Sequence, residues 1–268
     1  MALGLIPVLL LLSSGALVGL TLGLIGGGGS VLAVPLLVYV VGVPSAHVAI
    51  GSSAVAVALN AATSLATHAR LGTVKWPCAL VFAAAGVAGA FAGASLGKQL
   101  GGTELLALFG LVMIGIGVYM LTFKPKPITR DVKLTPETAA RLLPRLLLIG
   151  ASVGLLSGFF GIGGGFLIVP GLVLATGMAL QNAIGTSLVA VTTFGLATAT
   201  SYTSSGLVDW RLAVLVIAGG IVGSLIGTRA NVRLAGHKRA LGVTFASVVI
   251  AVGVYVVASG VAQLFAMG

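Results

Sequence analysis

The sequence predicts an all-α polytopic membrane protein built from two inverted-topology repeats, and three observations carry this prediction. Hydrophobic residues make up 58% of the 268 residues and charged residues only 7%, with a mean hydropathy of +1.21. Soluble domains, in contrast, carry about 25% charged residues. A glycine run followed by a proline occurs once in each half of the chain. The basic residues cluster between apolar spans, which indicates a role in membrane orientation rather than in nucleic-acid binding.

The glycine runs are the clearest sign of duplication. The first copy reads GLIGGGGSVLAVP and ends at Pro35, and the second reads GFFGIGGGFLIVP and ends at Pro170. The match continues downstream in the same order, pairing 51–53 with 185–187, Gly72 with Gly206, Trp76 with Trp210, and Gly86, Gly89 and Gly93 with Gly220, Gly223 and Gly227. Paired breaks of this kind in apolar sequence are typical of a transport site.

Each half divides into about five apolar segments. In the first half they span roughly 3–24, 31–43, 46–69, 76–97 and 104–122, and in the second roughly 142–160, 166–177, 181–203, 211–228 and 240–265. A helix needs about 20 residues to cross the hydrocarbon core, so the second segment of each half is predicted to be a short half-helix after a glycine-rich turn, either re-entrant or one arm of a broken pair. Irregular backbone at membrane depth must be satisfied by protein or a water-filled cavity, so we expect the glycine turns to face the interior.

These segments define three regions. Residues 1–123 form the first transmembrane repeat, 124–145 a basic cytoplasmic linker, and 146–268 the second transmembrane repeat. The leucine-rich start could pass for a signal peptide, but no Lys or Arg precedes it. Gly15, Gly19 and Gly23 also match glycines of the second half, so we expect this segment to belong to the mature protein.

The positive charges predict how the two halves are oriented. Basic residues crowd the linker and a loop of the second half: Lys124, Lys126, Arg130, Lys133, Arg141 and Arg145, then Arg229, Arg233, Lys238 and Arg239. The positive-inside rule places both groups in the cytoplasm. An odd number of crossings per half leaves only Lys98 and Arg211 outside, whereas an even number puts Lys98 and the second group outside. We therefore predict inverted halves with both termini outside.

The carboxylates favour an anionic substrate. The only acidic residues are Glu104, Asp131, Glu137 and Asp209, and none lies in the middle of an apolar span. Proton-coupled carriers usually place ionisable groups there, so cation transport is disfavoured. Helix N-termini can hold an anion with backbone N–H groups alone.

The predicted substrate site joins the two glycine turns to the hydroxyl-bearing starts of the third segments and one amide. It comprises Gly26, Gly27, Gly28, Gly29, Ser30, Ser52, Ser53, Asn60, Gly161, Gly163, Gly164, Gly165, Thr186 and Ser187. Two plainer readings stay open: the glycines could serve tight helix packing, and the hydroxyls could bond their own helix backbone.

The remaining polar residues suggest supporting roles. His47 and Asn182, equivalent in the two halves, are read as helix-entry residues, His68 as solvated, and Trp76 and Trp210 as part of the interfacial aromatic belt. The single cysteine, Cys78, is expected to be buried. No catalytic residues, metal ligands or cofactor site emerge, so we expect no enzyme activity; the expected partners are a small anion and the lipid bilayer, with no nucleic acid, and the oligomeric state is open.

The two glycine turns with Pro35 and Pro170, the Gly-Thr-Ser at 185–187 and the Gly-Leu-Val-Asp-Trp at 206–210 resemble the TauE/SafE family. The resemblance covers nearly the whole chain except the linker. It implies a permease that moves sulfite, organosulfonates or related small anions across a bacterial inner membrane. We therefore expect a secondary transporter that exports these anions by alternating access; an anion channel and a non-transporting membrane scaffold are the alternatives.

Overall fold

The computed structural model describes residues 4–122, 136–161, 165–233 and 238–267. Every regular element in these ranges is helical, which confirms the predicted all-α class. In chain order the α-helices are α1 (Leu5–Ile25), α2 (Ala33–Pro35), α3 (Ala46–Arg70), α4 (Trp76–Gly97), α5 (Gly102–Thr122), α6 (Pro136–Phe160), α7 (Gly165–Thr176), α8 (Leu180–Thr203), α9 (Trp210–Arg233) and α10 (Lys238–Met267).

Eight helical stretches in the described ranges are long and apolar enough to cross a membrane. One of them, Leu5–Val40, contains α1 together with the short helical pieces that follow it. In the second half the corresponding short helix, α7, has 12 residues and is too short to count as a span.

The first glycine turn is itself helical, which the sequence does not predict. Gly26 has φ +74° and breaks α1, and the chain then continues as a 3-10 helix (Gly26–Leu32), the single turn α2 and a π turn (Leu36–Val40). A positive φ favours glycine because it has no Cβ. The change of direction needs only this one residue, so the short segment starts at Gly26 rather than near residue 31.

Helix α6 begins inside the predicted linker. It starts at Pro136, and Arg141 and Arg145 are helical residues continuous with the apolar span. Proline is well suited to the first turn of a helix, where its missing N–H leaves no hydrogen bond unmade. Of the predicted linker, residues 124–135 lie outside the described part of the chain.

Glycines bring two helix pairs into backbone contact. Helices α1 and α9 run side by side in the same direction, because Gly15, Gly19 and Gly23 lie against 216, 220 and 224–228 in increasing order. Helices α4 and α6 do the same, with Gly150, Gly154 and Gly158 against 82, 86 and 90. A Cβ on Gly19 would overlap the Gly220 carbonyl. Small residues permit this approach in membrane helices, which gain stability from close packing.

The equivalent helices α3 and α8 lie between these pairs and run antiparallel. Gly51, near the start of α3, lies beside Leu207 after α8, and Gly185, near the start of α8, lies beside Thr73 after α3. Gly195 of α8 contacts Ala54 and Ala58 of α3. These two helices form the buried centre to which both glycine turns attach.

The glycine contacts predict that one added methyl group destabilises the protein at Gly19 but not at Gly115. Gly19→Ala places a Cβ on the Gly220 carbonyl, so we expect the free energy of unfolding to fall by about 1–3 kcal/mol. Gly115→Ala on α5 is the matched control, because nothing lies within 4 Å of its Cβ position. Thermal unfolding in detergent, followed by size-exclusion chromatography, measures both; equal melting temperatures for the two variants would contradict the packing role.

Candidate functional site

The two predicted glycine turns meet through their backbones. A Cβ on Gly27 would lie 2.6 Å from the Gly165 Cα, closer than real atoms pack. Residues 26–30, Gly161 and Gly165 are all buried. Gly163 and Gly164 of the predicted site lie outside the described residues. The structure thus brings the two turns together, at a point where only glycine fits on either side.

Each turn rests on the third helix of the opposite half. A Cβ on Gly26 would lie 2.9 Å from the Ile184 carbonyl oxygen of α8. At the equivalent position Gly161, with φ +68°, a Cβ would overlap the side chain of Ile50 on α3. Each glycine turn therefore contacts the central helix of the other half, α8 for the first turn and α3 for the second.

A hydrogen bond fixes the first turn to α8. The Gly27 N–H donates to the Ser187 hydroxyl over 3.2 Å, and that hydroxyl donates to the Ile184 carbonyl over 2.7 Å. At the equivalent position on α3, the Ser53 hydroxyl donates to the Ile50 carbonyl over 2.9 Å. One predicted site residue, Ser187, thus lies at the first glycine turn, where it already accepts a hydrogen bond from one backbone donor of that turn, while Ser53 bonds the backbone of its own helix.

Two other predicted hydroxyls hold loops. Ser52 accepts the backbone N–H of Asp209 over 2.9 Å, and Thr186 accepts the backbone N–H of Lys75 over 3.0 Å. Ser52 and Thr186 are equivalent in the two halves, and so are the two loop residues. These bonds tie each third helix to the loop before the fourth helix of the other half, which gives both hydroxyls a structural bond irrespective of any substrate.

Ser30 and Gly28 occupy the rest of the first turn. The Ser30 hydroxyl donates to the Gly27 carbonyl over 3.0 Å, within the turn itself. A Cβ on Gly28 would lie 3.4 Å from the Phe245 ring of α10, which is an ordinary van der Waals contact. A Cβ on Gly29 would overlap the backbone of α1, against which the turn folds back.

Asn60 is the most unusual of the predicted site residues. It is fully buried, and neither of its amide atoms has a hydrogen-bond partner among the described residues. The amide lies against Gly220 of α9, where a Cβ would overlap it. At the equivalent contact of the other half, the ring of Phe194 lies against Gly86 of α4. The site is therefore asymmetric: the first half presents an amide where the second presents a phenyl ring.

His68 is not solvated, so that expectation is wrong. The side chain is 1% exposed. Its Nδ1 lies 3.0 Å from the Thr73 hydroxyl, and its Nε2 has no hydrogen-bond partner in the described ranges. Nearness to the basic residues suggested solvent, but α3 turns this residue inward. Its four-residue spacing from Ser64 and Asn60 was the signal that it shares their face.

The charged residues lie at helix ends. Glu104 and Glu137 occupy the first turns of α5 and α6, where carboxylates are favoured by the helix dipole. The Asp209 carboxylate accepts the Arg211 N–H over 2.9 Å just before α9. Among the described residues, no carboxylate therefore lies near the glycine turns.

Lys98 closes the end of α8. Its ammonium group donates to the Ser201 carbonyl over 3.0 Å, to the Ser201 hydroxyl over 3.0 Å and to the Ser205 hydroxyl over 2.9 Å. A cation beside the last carbonyls of a helix is stabilising. Nearby, His47 Nε2 lies 3.1 Å from the Leu100 carbonyl, a bond consistent with its predicted place at the helix entry.

Three predictions concern single residues away from the turns. Cys78 is buried, as predicted. Trp76 and Trp210 begin α4 and α9 and are 46% and 56% exposed. Their place in an interfacial aromatic belt stays a prediction.

Comparison with known proteins places the chain among membrane transporters. The family described as Sulfite exporter TauE/SafE matches residues 11–256. A probable membrane transporter protein of Xylella fastidiosa (strain 9a5c) is 48% identical over 255 residues, covering 95% of this chain and 97% of the relative. Probable membrane transporter protein YunE of Bacillus subtilis (strain 168) is 28% identical over 234 residues, covering 81% and 86%. No solved structure matches the chain significantly.

The bond between the turn and α8 predicts that Ser187→Ala destabilises the fold. The variant leaves the buried Gly27 N–H without its acceptor, which costs about 1–3 kcal/mol. Thr193→Ala on the same helix is the control, because the Thr193 hydroxyl donates to the Val189 and Ala190 carbonyls, which are already bonded within the helix. Thermal unfolding and hydrogen exchange at Gly27 measure the effect; unchanged exchange at Gly27 in Ser187→Ala would contradict it.

Proposed function

Because the chain belongs to the TauE/SafE family of membrane transporters, we propose that it exports small sulfur-containing anions, such as sulfite or organosulfonates, by alternating access. The observation that carries the proposal is the meeting of the two glycine turns at the centre of the bundle, each resting on the third helix of the other half. The family's name supplies the class of anion.

The proposal treats the halves as inverted repeats, and the directions of equivalent helices support this. Helices α3 and α8 are antiparallel, and so are α5 and α10, since Gly110 lies beside Gly253 and Gly117 beside Ala246 and Ile250. Repeats related by an axis along the membrane normal would have parallel equivalents. With the basic linker in the cytoplasm, the positive-inside rule then places Arg70, Arg229 and Arg233 on the same side.

The chemistry of the turns favours an anion over a cation. The turns offer backbone N–H groups and hydroxyls, and α7 begins at Gly165 with its positive dipole end at the point of contact. Glycine lets a ligand approach the backbone closely. An oxyanion can accept hydrogen bonds from all of these groups without a buried Lys or Arg.

Alternating access follows from the contact between the halves. The approach of Gly27 to Gly165 leaves no room for an oxyanion between them, so binding there requires the two turns to separate. The direct contact between Gly27 and Gly165 is made by backbone atoms, and one hydroxyl bond ties Gly27 to α8. A small rigid-body movement of one half against the other would open it, as in other repeat-built carriers.

The membrane potential can drive the proposed export without a coupling ion. An inside-negative potential contributes about 2.3 kcal/mol per charge per 100 mV to the exit of an anion. In proteoliposomes loaded with radiolabelled sulfite, we expect an inside-negative potassium diffusion potential to accelerate efflux and an inside-positive potential to slow it. Liposomes without protein are the control. Protein-dependent efflux that is indifferent to voltage would contradict uncoupled export.

A further inference from the structure

The duplicated architecture creates two comparable three-helix contacts with different chemistry. The polar contact joins α3 to α1 and α9, and the aromatic contact joins the equivalent helices α8, α6 and α4. On α3 the residues at the polar contact are Asn60, Ser64 and His68; their equivalents on α8 are Phe194, Thr198 and Tyr202. On α9 the polar contact has Ser224, Thr228 and Asn231, where α4 has Ala90, Ala94 and Gly97.

The polar contact buries donors that have no partner. Asn60, Ser64 and His68 follow one another at four-residue spacing, so they share one face of α3. All three side chains are at least 99% buried, and within the described residues the amide of Asn60, the hydroxyl of Ser64 and the Nε2 of His68 make no hydrogen bond. Unpartnered polar groups are costly inside a membrane protein, and ionisable ones there mark functional sites.

Contacts on each side define where this face lies. The side-chain amide of Asn60 lies against Gly220 of α9, and the Ser224 hydroxyl donates to the backbone carbonyl of Asn60 over 3.4 Å. His68 lies beside the backbone of Gly23, near the end of α1. The face therefore points into the seam between α3 and the α1/α9 pair, with Asn60 beside Gly220 of α9 and His68 near the ends of α3 and α1.

We propose that this face of α3 is an anion entry site, in which His68, Ser64 and Asn60 successively donate hydrogen bonds to a small oxyanion moving along the seam from the end of α3 into the bundle. The entry site rests on the proposed transport function, for which it supplies the cytoplasmic entrance. The amide N–H, hydroxyl and imidazole N–H are all donors, and no described carboxylate lies among them. Eight residues separate His68 from Asn60, so the face extends about 12 Å along the helix.

Charge distinguishes the end of this seam from the equivalent end of the aromatic contact. Helix α3 ends at Arg70 and is followed by Lys75, and α9 ends at Arg233, whereas the equivalents of Arg70 and Lys75 after α8 are Ser204 and Asp209. Lys98, which lies at the end of the aromatic contact, is already bonded to Ser201 and Ser205. A basic rim raises the local concentration of anions. The donors and the rim thus favour anion entry at the same end of the molecule.

The aromatic contact is the matched comparison within the same chain. Phe194 occupies the place of Asn60 and stacks on Phe82 with ring centroids 6.2 Å apart. Both contacts bury unpartnered polar groups, which in the aromatic contact are the hydroxyls of Thr198 and Tyr202. Opening the aromatic contact would in addition expose the two large rings of Phe194 and Phe82, whereas opening the polar contact would not. The polar contact is therefore the one that separates at the lower free-energy cost.

Cysteine labelling tests the entry site directly. Cys78 is the single cysteine, so Cys78→Ala gives a background without thiols. In that background Ser64→Cys is compared with Thr198→Cys, which is the equivalent position, is equally buried and also has an unpartnered hydroxyl among the described residues. Membrane vesicles of both orientations are treated with a membrane-impermeant methanethiosulfonate that carries a sulfonate group.

We expect Ser64→Cys to react from the cytoplasmic side at least about tenfold faster than Thr198→Cys does from either side, because reaction of a buried thiol follows local opening. An organosulfonate, which does not react with the reagent, should slow this reaction. Equal rates at the two positions, no reaction at Ser64→Cys, or faster reaction from the outer side would each overturn the entry site. If Ser64→Cys does not yield a monodisperse protein, His68→Cys and Tyr202→Cys provide the next equivalent pair.

The labelling result separates the entry site from the transport function. Sulfite flux by the Cys78→Ala protein together with an unreactive Ser64→Cys overturns the entry site and leaves the proposed function standing. The expected labelling without any sulfite flux overturns the proposed function, while the seam still opens to water and anionic reagents.

Discussion

The fold depends on backbone-to-backbone contact between glycines of the two halves. Gly27 and Gly165 touch at the centre, and the pairs α1/α9 and α4/α6 pack along rows of glycine on either side. Lipid tails are as apolar as the helix surfaces, so hydrophobic burial drives helix association weakly inside a bilayer. Close packing and hydrogen bonds must then hold the bundle together, which explains why a chain of 268 residues contains 41 glycines.

The same contacts connect stability with the proposed function. Each glycine turn rests on a helix of the other half, and Ser52 and Thr186 hold the opposite half's loops by equivalent hydrogen bonds. Neither half can therefore move without changing contacts at both turns. A backbone contact can separate over a short distance without rotamer changes, so the arrangement joins a stable bundle to a movable centre.

Much of the fold is predictable from sequence because the bilayer allows few alternatives. Helix length and apolar runs give the positions of α3, α4, α5 and α8 to within a few residues. The helical path through 26–40 is not predictable, since it depends on local backbone geometry and on packing. Ser52 and Ser53 are neighbours in sequence, yet one bonds a loop of the other half and the other bonds its own helix, a distinction that only helix orientation decides.

The candidate site shows the same limit. The repeated glycines indicated the turns, and their contact is visible in the structure. His68 was misread because its neighbours in sequence are basic, whereas its burial depends on which helices cover that face of α3. Substrate binding by the predicted site residues stays a prediction, because the hydrogen bonds that they make are to other groups of the protein.

Saturable counterflow of radiolabelled sulfite by the purified protein in proteoliposomes tests the central claim most directly. A carrier that binds sulfite between its halves should exchange external label for internal unlabelled sulfite, with a rate that saturates as the external concentration rises. Organosulfonates should compete, and liposomes without protein should show no exchange. Flux that rises linearly without saturation would identify a channel, and absence of any protein-dependent flux would contradict anion transport by this fold.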